Sequence, residues 1–349
     1  MNTTQIWFRL VRFYIKIGLF LYAKKIHVVG KENIPKKGAV LFAVNHPNGL
    51  VDPLIVTTNN VRTSYFLVKA GAFENPIARK ILNKLNLIAI YRMQDGIDQL
   101  ARNEEVFNTC FTLLKDKQSL VIFPEGTDCK DRRIRTLSKG FTRIVFGCLE
   151  KYPDVKLKVV PVGLTYQNVT SFPTKVSVNY GIPIDANEIY ENNIPSKSIN
   201  ILKNEVTKQL EELTVHIKMD ENYVQILSEL NKAQVNFTKV DEVNKMIAKK
   251  EFPSEEKAPI NFIKPLFYLI ILNSIFPYLI WKNFSNKNTD KDFTDTLRFG
   301  YNIFLFPPFY IIQTLIISFA FGIQTGIIYF FASLLIIFIY VRLATTPAR

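Results

Sequence analysis

Two short stretches of this 349-residue chain hold side chains able to do chemistry. The first is AVLFAVNHPNGLVDP, residues 39–53, where a hydrophobic run ends at Asn45–His46 and Asp52 follows six positions after the histidine. A histidine at a strand end projects into a cleft. A carboxylate within reach holds its tautomer and stabilises its imidazolium, which makes the ring a general base. The same pair also reads as a histidine capping a helix whose first-turn aspartate serves the helix dipole. The second stretch is SLVIFPEGTD, residues 119–128, in which another apolar run enters a turn at Glu125, Gly126 and Thr127. A carboxylate, a flexible backbone and a hydroxyl meet there, and exposed backbone N–H groups at such a turn bind phosphate oxygens. The turn also reads as a tight connection and nothing more.

These turns need a scaffold, and residues 26–190 provide one by alternation. Gly38–Asn45, Ser64–Lys69, Leu87–Tyr91, Ser119–Phe123, Lys158–Val162 and Lys175–Tyr180 predict buried strands from β-branched content and bounding turns. Between them Asn75–Leu85, Gly96–Lys115 and Gly140–Glu150 carry helical periodicity. The pattern predicts an α/β fold, a mixed sheet covered by helices. Residues 191–260 are polar and helix-prone, LKNEVTKQLEEL being the clearest amphipathic stretch, and predict a helical extension over the core or a linker to the membrane.

The net charge of +14 attracts either nucleic acid or an anionic membrane surface. Its distribution decides between them. Residues 1–25 hold Arg9, Arg12, Lys16, Lys24 and Lys25 with no acid, and residues 261–349 hold seven basic groups against three acidic ones. The excess lies beside the apolar ends, which points to membrane lipid as a partner and away from nucleic acid. Cys110, Cys129 and Cys148 form no CxxC pair, so neither a disulfide framework nor a cysteine-built metal site is expected. Three histidines leave little room for a histidine metal centre, and His27 and His216 read as surface residues.

The N-terminal stretch TTQIWFRLVRFYIKIGLFLY puts Gln5, Arg9, Arg12 and Lys16 on one narrow strip and apolar residues on the remainder. That is the profile of a helix lying in the bilayer interface, arginines toward headgroups. Near the other end, 303–321 and 323–341 are each 19 residues without a charge. About 20 such residues span a bilayer, so the pair predicts a transmembrane hairpin. The preceding segment, 266–281, is interrupted by Asn273, Ser274 and Pro277 and predicts a re-entrant or interfacial piece. Basic residues on both flanks of the hairpin place those flanks, and the catalytic domain with them, on the cytoplasmic face. A bacterial inner membrane is the expected location.

Taken together, the two chemical stretches resemble the signature of the glycerolipid acyltransferases of the PlsC type. LNLIAIYR, residues 85–92, resembles that family's second block, with Arg92 at its phosphate-contacting arginine. LKVVPVGLTY, residues 157–166, resembles the fourth, with Pro161 as its proline, and YFLVKAGAFENP, residues 65–76, resembles the stretch holding the family's lysine, here Lys69. The resemblance covers roughly residues 26–185. Two departures stand out. Five residues separate His46 from Asp52 where most members have four, a spacing similar to that of the fungal-type glycerol-3-phosphate acyltransferases; and Asn86 and Asp128 stand where the family often has Gly and Arg.

The resemblance implies a membrane-bound O-acyltransferase that uses no metal and no cofactor. In it His46, held by Asp52, deprotonates an acceptor hydroxyl, which attacks an acyl thioester carried by acyl-CoA or acyl-carrier protein. Arg92, Lys69, Asn45, Pro161 and the Glu125–Gly126–Thr127 turn would hold the acceptor. The expected acceptor is 1-acylglycerol-3-phosphate in phospholipid synthesis. Glycerol-3-phosphate and other lyso-lipids are the alternatives, and a catalytically silent lipid-binding protein is a further one.

Overall fold

The computed structural model describes residues 3–91, 102–191, 193–287 and 291–349. Its centre is an eight-stranded sheet made of β1 Lys25–Val29, β2 Ala39–Val44, β3 Ser64–Lys69, β4 Leu87–Ile90, β5 Ser119–Ile122, β6 Leu157–Tyr166, β7 Lys175–Tyr180 and β8 Ile184–Asp185. Seven of them run in the order β1-β7-β6-β2-β5-β3-β4, and β8 pairs with β6. The β6–β7 and β6–β8 pairings are antiparallel and the others parallel, so the sheet is mixed as expected. β6 runs four residues beyond the predicted Val162, because its far half pairs with β7. β1 and β8 escape sequence reading. β1 is an edge strand with alternating exposure and His27 on its open face, and β8 is two residues long.

β2 is buried along its whole length, which is why its sequence is continuously apolar rather than alternating. Its side chains still divide between two layers. Ala39, Leu41 and Ala43 face a core built with the helices Asn103–Lys115, Gly140–Lys151 and Pro195–Leu213. Val40, Phe42 and Val44 face the other, which takes in the helix Val51–Asn59 and the residues Leu19, Tyr22, Phe299 and Ile303 from the two ends of the chain.

Of the two readings of the amphipathic stretch, the helix Pro195–Leu213 takes the extension over the core: Leu202, Val206 and Leu210 are fully buried in the first core, so it closes one face of the catalytic sheet. The N-terminal helix Thr3–Phe20 likewise seals the second face through Leu19. Arg12 does not point to solvent with Arg9, because its guanidinium donates to the carbonyl of Asn60 at the end of the helix Val51–Asn59. The outer face of the N-terminal helix is apolar, with Ile6, Leu10, Phe13, Ile17 and Phe20 exposed at helical spacing.

Residues 215–252 form a small helical layer with its own core around Phe237. It grips the loop that follows β5. Arg132 donates to the carbonyls of Tyr166 and Gln167 at 3.0 Å and lies over the ring of Phe237, 3.4 Å from its centroid. His216, expected at the surface, is half-buried, and its Nδ1 accepts from the backbone N–H of Ile134 at 3.0 Å.

That bond needs a neutral imidazole, and burial pushes the His216 pKa below its ordinary value despite Glu211 nearby. Between the lowered value and about 6.5 the unfolded chain binds the extra proton, so stability is full above that window and falls as pH drops through it. His216→Asn, whose Oδ1 replaces the Nδ1 acceptor, is expected to remove this loss. Thermal melts across pH 5–8 check it, and an unchanged acid slope in the variant would reject the assignment.

At the C-terminus the helices Lys264–Asn273 and Ile275–Lys287 meet at an angle of 98°, breaking at Ser274. Segments Leu297–Phe321 and Ile323–Leu343 are long and apolar enough to cross a membrane, turning at Gly322 with φ +92°. Tyr329 donates to Asn273 Oδ1 at 2.8 Å and Asn273 donates to Ser333 at 3.1 Å, which ties the break to the hairpin. Arg342 leaves the hairpin to donate to the carbonyls of Phe20, Ala23 and Lys24, capping the N-terminal helix.

Candidate active site

The parallel strands β2, β5, β3 and β4 are neighbours, so their carboxyl ends fall along one edge of the sheet, where ligands bind in open α/β folds. His46 follows β2, Phe123–Thr127 follows β5, and Lys69 ends β3. β6 is parallel to β2 and delivers Tyr166 to the same edge.

His46 Nδ1 lies 2.9 Å from Asp52 Oδ2, and its ring stacks on Phe123 with centroids 4.1 Å apart. Asp52, in the first turn of the helix Val51–Asn59, is fully buried. Its Oδ2 accepts from the Asn48 backbone N–H at 2.7 Å and its Oδ1 from the Tyr166 hydroxyl at 2.6 Å. Burial pushes the carboxyl pKa up, and the bonds from His46, Tyr166 and Asn48 pull it back. Burial together with Asp52 keeps Tyr166 protonated far above the ordinary tyrosine value, so it serves as a donor. With Nδ1 committed to Asp52, Nε2 is the ring nitrogen left to accept a proton.

The five-residue spacing has a local cause. Asn48 Oδ1 accepts from the backbone N–H groups of Leu50 and Val51, at 3.3 and 3.0 Å, and folds the extra residue into a turn ahead of the helix. Asn86 answers the other departure: it adopts φ 58°, the left-handed conformation that glycine and asparagine tolerate best. Asn48, Tyr166 and Phe123 were not read as functional from sequence. An asparagine three residues ahead of a helix is a recognisable turn signal, whereas nothing local marks Tyr166, which reaches Asp52 from 114 positions away.

The second stretch, residues 119–128, behaves differently from expectation. Glu125 does not reach the cleft. Its carboxylate is buried and accepts from Arg135 Nε at 2.7 Å, while the same guanidinium donates to the hydroxyl and the carbonyl of Thr127. Burial raises the Glu125 pKa against the pull of Arg135 and His46. Gly126, at φ +81°, already spends its N–H on the Phe123 carbonyl at 3.1 Å. Gly126, Thr127 and Asp128 line the cleft.

Asn45 and Pro161 also need correction, since both lie in the sheet. The Asn45 amide donates to the Leu164 carbonyl at 3.0 Å and accepts from the Leu164 N–H at 2.6 Å, stapling β2 to β6. Pro161 pairs with Ala43 in the β2–β6 register and falls between the β8 and β7 pairings, where its missing N–H is not needed. Arg92 lies outside the described residues.

The cleft is one continuous cavity of about 2300 Å³ with His46 on its wall. Phe66, Leu82, Leu85, Phe107 and Phe111 are among its apolar lining, and Lys69, Lys139 and Arg143 bring positive charge to it. An imidazole held by a buried carboxylate, in an apolar cavity that cations also line, suits proton abstraction from a hydroxyl on an anionic, greasy acceptor.

Residues 25–165 match the model of a family described as acyltransferase. Over that stretch the chain is similar to the acyltransferase family. A 1-acyl-sn-glycerol-3-phosphate acyltransferase of Borreliella burgdorferi is 25% identical to it over 219 residues, 60% of this chain and 80% of that one. Glycerol-3-phosphate O-acyltransferase 1 of Saccharomyces cerevisiae is 30% identical over 95 residues, 27% of this chain, and the match spans only 12% of the yeast protein. Among solved structures, the 1-acyl-sn-glycerophosphate acyltransferase PlsC of Thermotoga maritima is similar at a TM-score of 0.45 and 20% identity, over 60% of this chain and 81% of that one. The matched 25–165 region contains His46, Asp52, Lys69 and the Glu125–Thr127 turn, and ends one residue before Tyr166.

Proposed function

We propose that the protein transfers a fatty acyl group from a thioester, acyl-CoA or acyl-carrier protein, to the hydroxyl of 1-acylglycerol-3-phosphate at a membrane surface. The observation that carries this reading is the His46–Asp52 pair opening on an apolar cavity of about 2300 Å³. His46 Nε2 takes the hydroxyl proton as the acceptor oxygen attacks the thioester carbonyl. The tetrahedral intermediate collapses, the C–S bond breaks, and the imidazolium returns its proton to the departing thiolate. Asp52 stabilises that imidazolium, and positioning of both substrates supplies much of the remaining acceleration. Lys69 and the rim at Thr127 are the expected partners of the acceptor phosphate, together with Arg92. The helices at the C-terminus would anchor the domain on the cytoplasmic face of a bacterial inner membrane.

Glycerol-3-phosphate is a second acceptor to consider, supported by the likeness to the yeast glycerol-3-phosphate O-acyltransferase and by the long His–Asp spacing. Membranes holding the protein would be offered each acceptor separately with mixed acyl donors, and the products weighed. Phosphatidate formed from the acylated acceptor is the expected result. Lysophosphatidate formed from glycerol-3-phosphate alone would overturn the first reading in favour of the second.

A further inference from the structure

The hairpin does more than anchor. Its first helix, Lys291–Phe321, forms part of the wall of the active-site cavity. Leu297, Gly300 and Phe304 line that cavity, opposite Trp7, Val11 and Tyr14 of the N-terminal helix, and the lining continues through Leu50 to His46. The wall is held firmly. Phe299 is buried edge-on against Tyr22, with centroids 5.0 Å apart. Ile303 packs where a side chain on Gly18 would fall, 2.8 Å from its Cδ1, and its carbonyl accepts from the Tyr14 hydroxyl. Arg298 donates to the Thr170 carbonyl at 2.8 Å.

One turn further along, Phe304 is 73% exposed and still borders the cavity. It belongs to Leu297–Phe321, a segment long and apolar enough to cross a membrane. An opening beside Phe304 would therefore face acyl chains rather than water. Arg12 lines the same cavity with its guanidinium held at the Asn60 carbonyl and brings a cation to it.

We infer that Gly300 and Phe304 are specificity-determining residues, and that the gap they share with the N-terminal helix is the lateral entry through which a phosphate-bearing single-chain lipid slides from the bilayer to His46. The inference rests on the acyl-transfer reading and adds the route and the residues that select for a long chain. Gly300 is the position to fill. A Cβ there meets Leu50 Cδ2 at 3.3 Å, the tip of a flexible side chain, so alanine is accommodated and leucine projects into the path. Within a helix, glycine to alanine is also stabilising. Gly300→Ala should hold or raise the melting temperature while it narrows the entry.

The test compares acceptors of one headgroup and two lengths: 1-oleoyl-glycerol-3-phosphate in vesicles and the water-soluble 1-hexanoyl compound. The ratio of kcat/KM, long over short, is expected to fall about threefold in Gly300→Ala and at least tenfold in Gly300→Leu, mainly through KM. A ratio that stays within twofold of wild type in both variants overturns the inference. A photoreactive lysophosphatidate, with a diazirine in its tail, reads the route without turnover. An adduct on residues 297–304 that fades in Gly300→Leu supports it, and no adduct there in wild type overturns it. If neither acceptor is acylated by the wild type, the acyl-transfer reading fails, and the crosslink still decides the entry route.

Discussion

His46→Ala is expected to lower acyl transfer by about 10²–10⁴, the usual contribution of a general base, with the fold retained. Asp52→Asn should cost less, and the difference follows from which oxygen is held by what. His46 Nδ1 and the Asn48 backbone N–H both meet Oδ2 of Asp52. A backbone N–H cannot face an amide NH2, so Asn48 pins the oxygen of a replacement asparagine at the Oδ2 position. The imidazole then keeps its tautomer. The amide nitrogen falls at the Oδ1 position, facing the Tyr166 hydroxyl, which turns to accept in place of donating. What Asp52→Asn loses is the negative charge opposite the imidazolium that forms in the transition state. Turnover assays on purified variants, with circular dichroism to confirm the fold, distinguish the cases. Normal turnover in His46→Ala would remove the dyad from the mechanism. Equal losses in the two variants would show that Asn48 does not fix the tautomer.

The contrast between Asp52 and Glu125 shows how far the residues alone could be read. His46 and Asp52 were legible because both sit within one strand–turn–helix unit, where short spacing limits the geometry. The strands β2, β3 and β5 were legible for a similar reason: β-branched runs bounded by turns are local signals. Glu125 looked like a substrate contact because its turn is polar and flexible. Its partner is Arg135, ten residues on, in a stretch without helix or strand where no periodicity announces a contact. The role of Tyr166 and the exact docking of the helix Pro195–Leu213 escaped for a different reason. Both depend on β6 lying beside β2, a pairing set by the whole sheet. The two long apolar helices were readable from length and charge, but that the first of them lines the active cavity was not. Hydropathy reports which solvent a helix prefers and carries no information about its neighbours.

The second large effect concerns that misread glutamate. Arg135→Met should destabilise the protein by about 3–5 kcal/mol, the cost of stranding one partner of a buried ion pair. It should also slow turnover. The Arg135 guanidinium joins Glu125 to Thr127, and the Thr127 rim lines the cavity that holds His46, so its loss frees the turn beside the base. The pH dependence gives the sign. Burial already raises the Glu125 pKa above the ordinary glutamate range, and Arg135 is the strongest influence lowering it. Without Arg135 the folded pKa climbs further, so over a wider window above about 4.3 the folded state binds a proton that the unfolded chain has released. Stability therefore falls as pH rises through that window. The deficit of Arg135→Met relative to wild type should be smallest near pH 5 and grow toward pH 8. Glu125→Gln in the same background removes the stranded charge and should recover much of the lost stability without recovering the ordered turn. Denaturant melts of wild type and both variants at the two pH values test this. A deficit that is constant or shrinks as pH rises would show that Glu125 is not the group Arg135 neutralises.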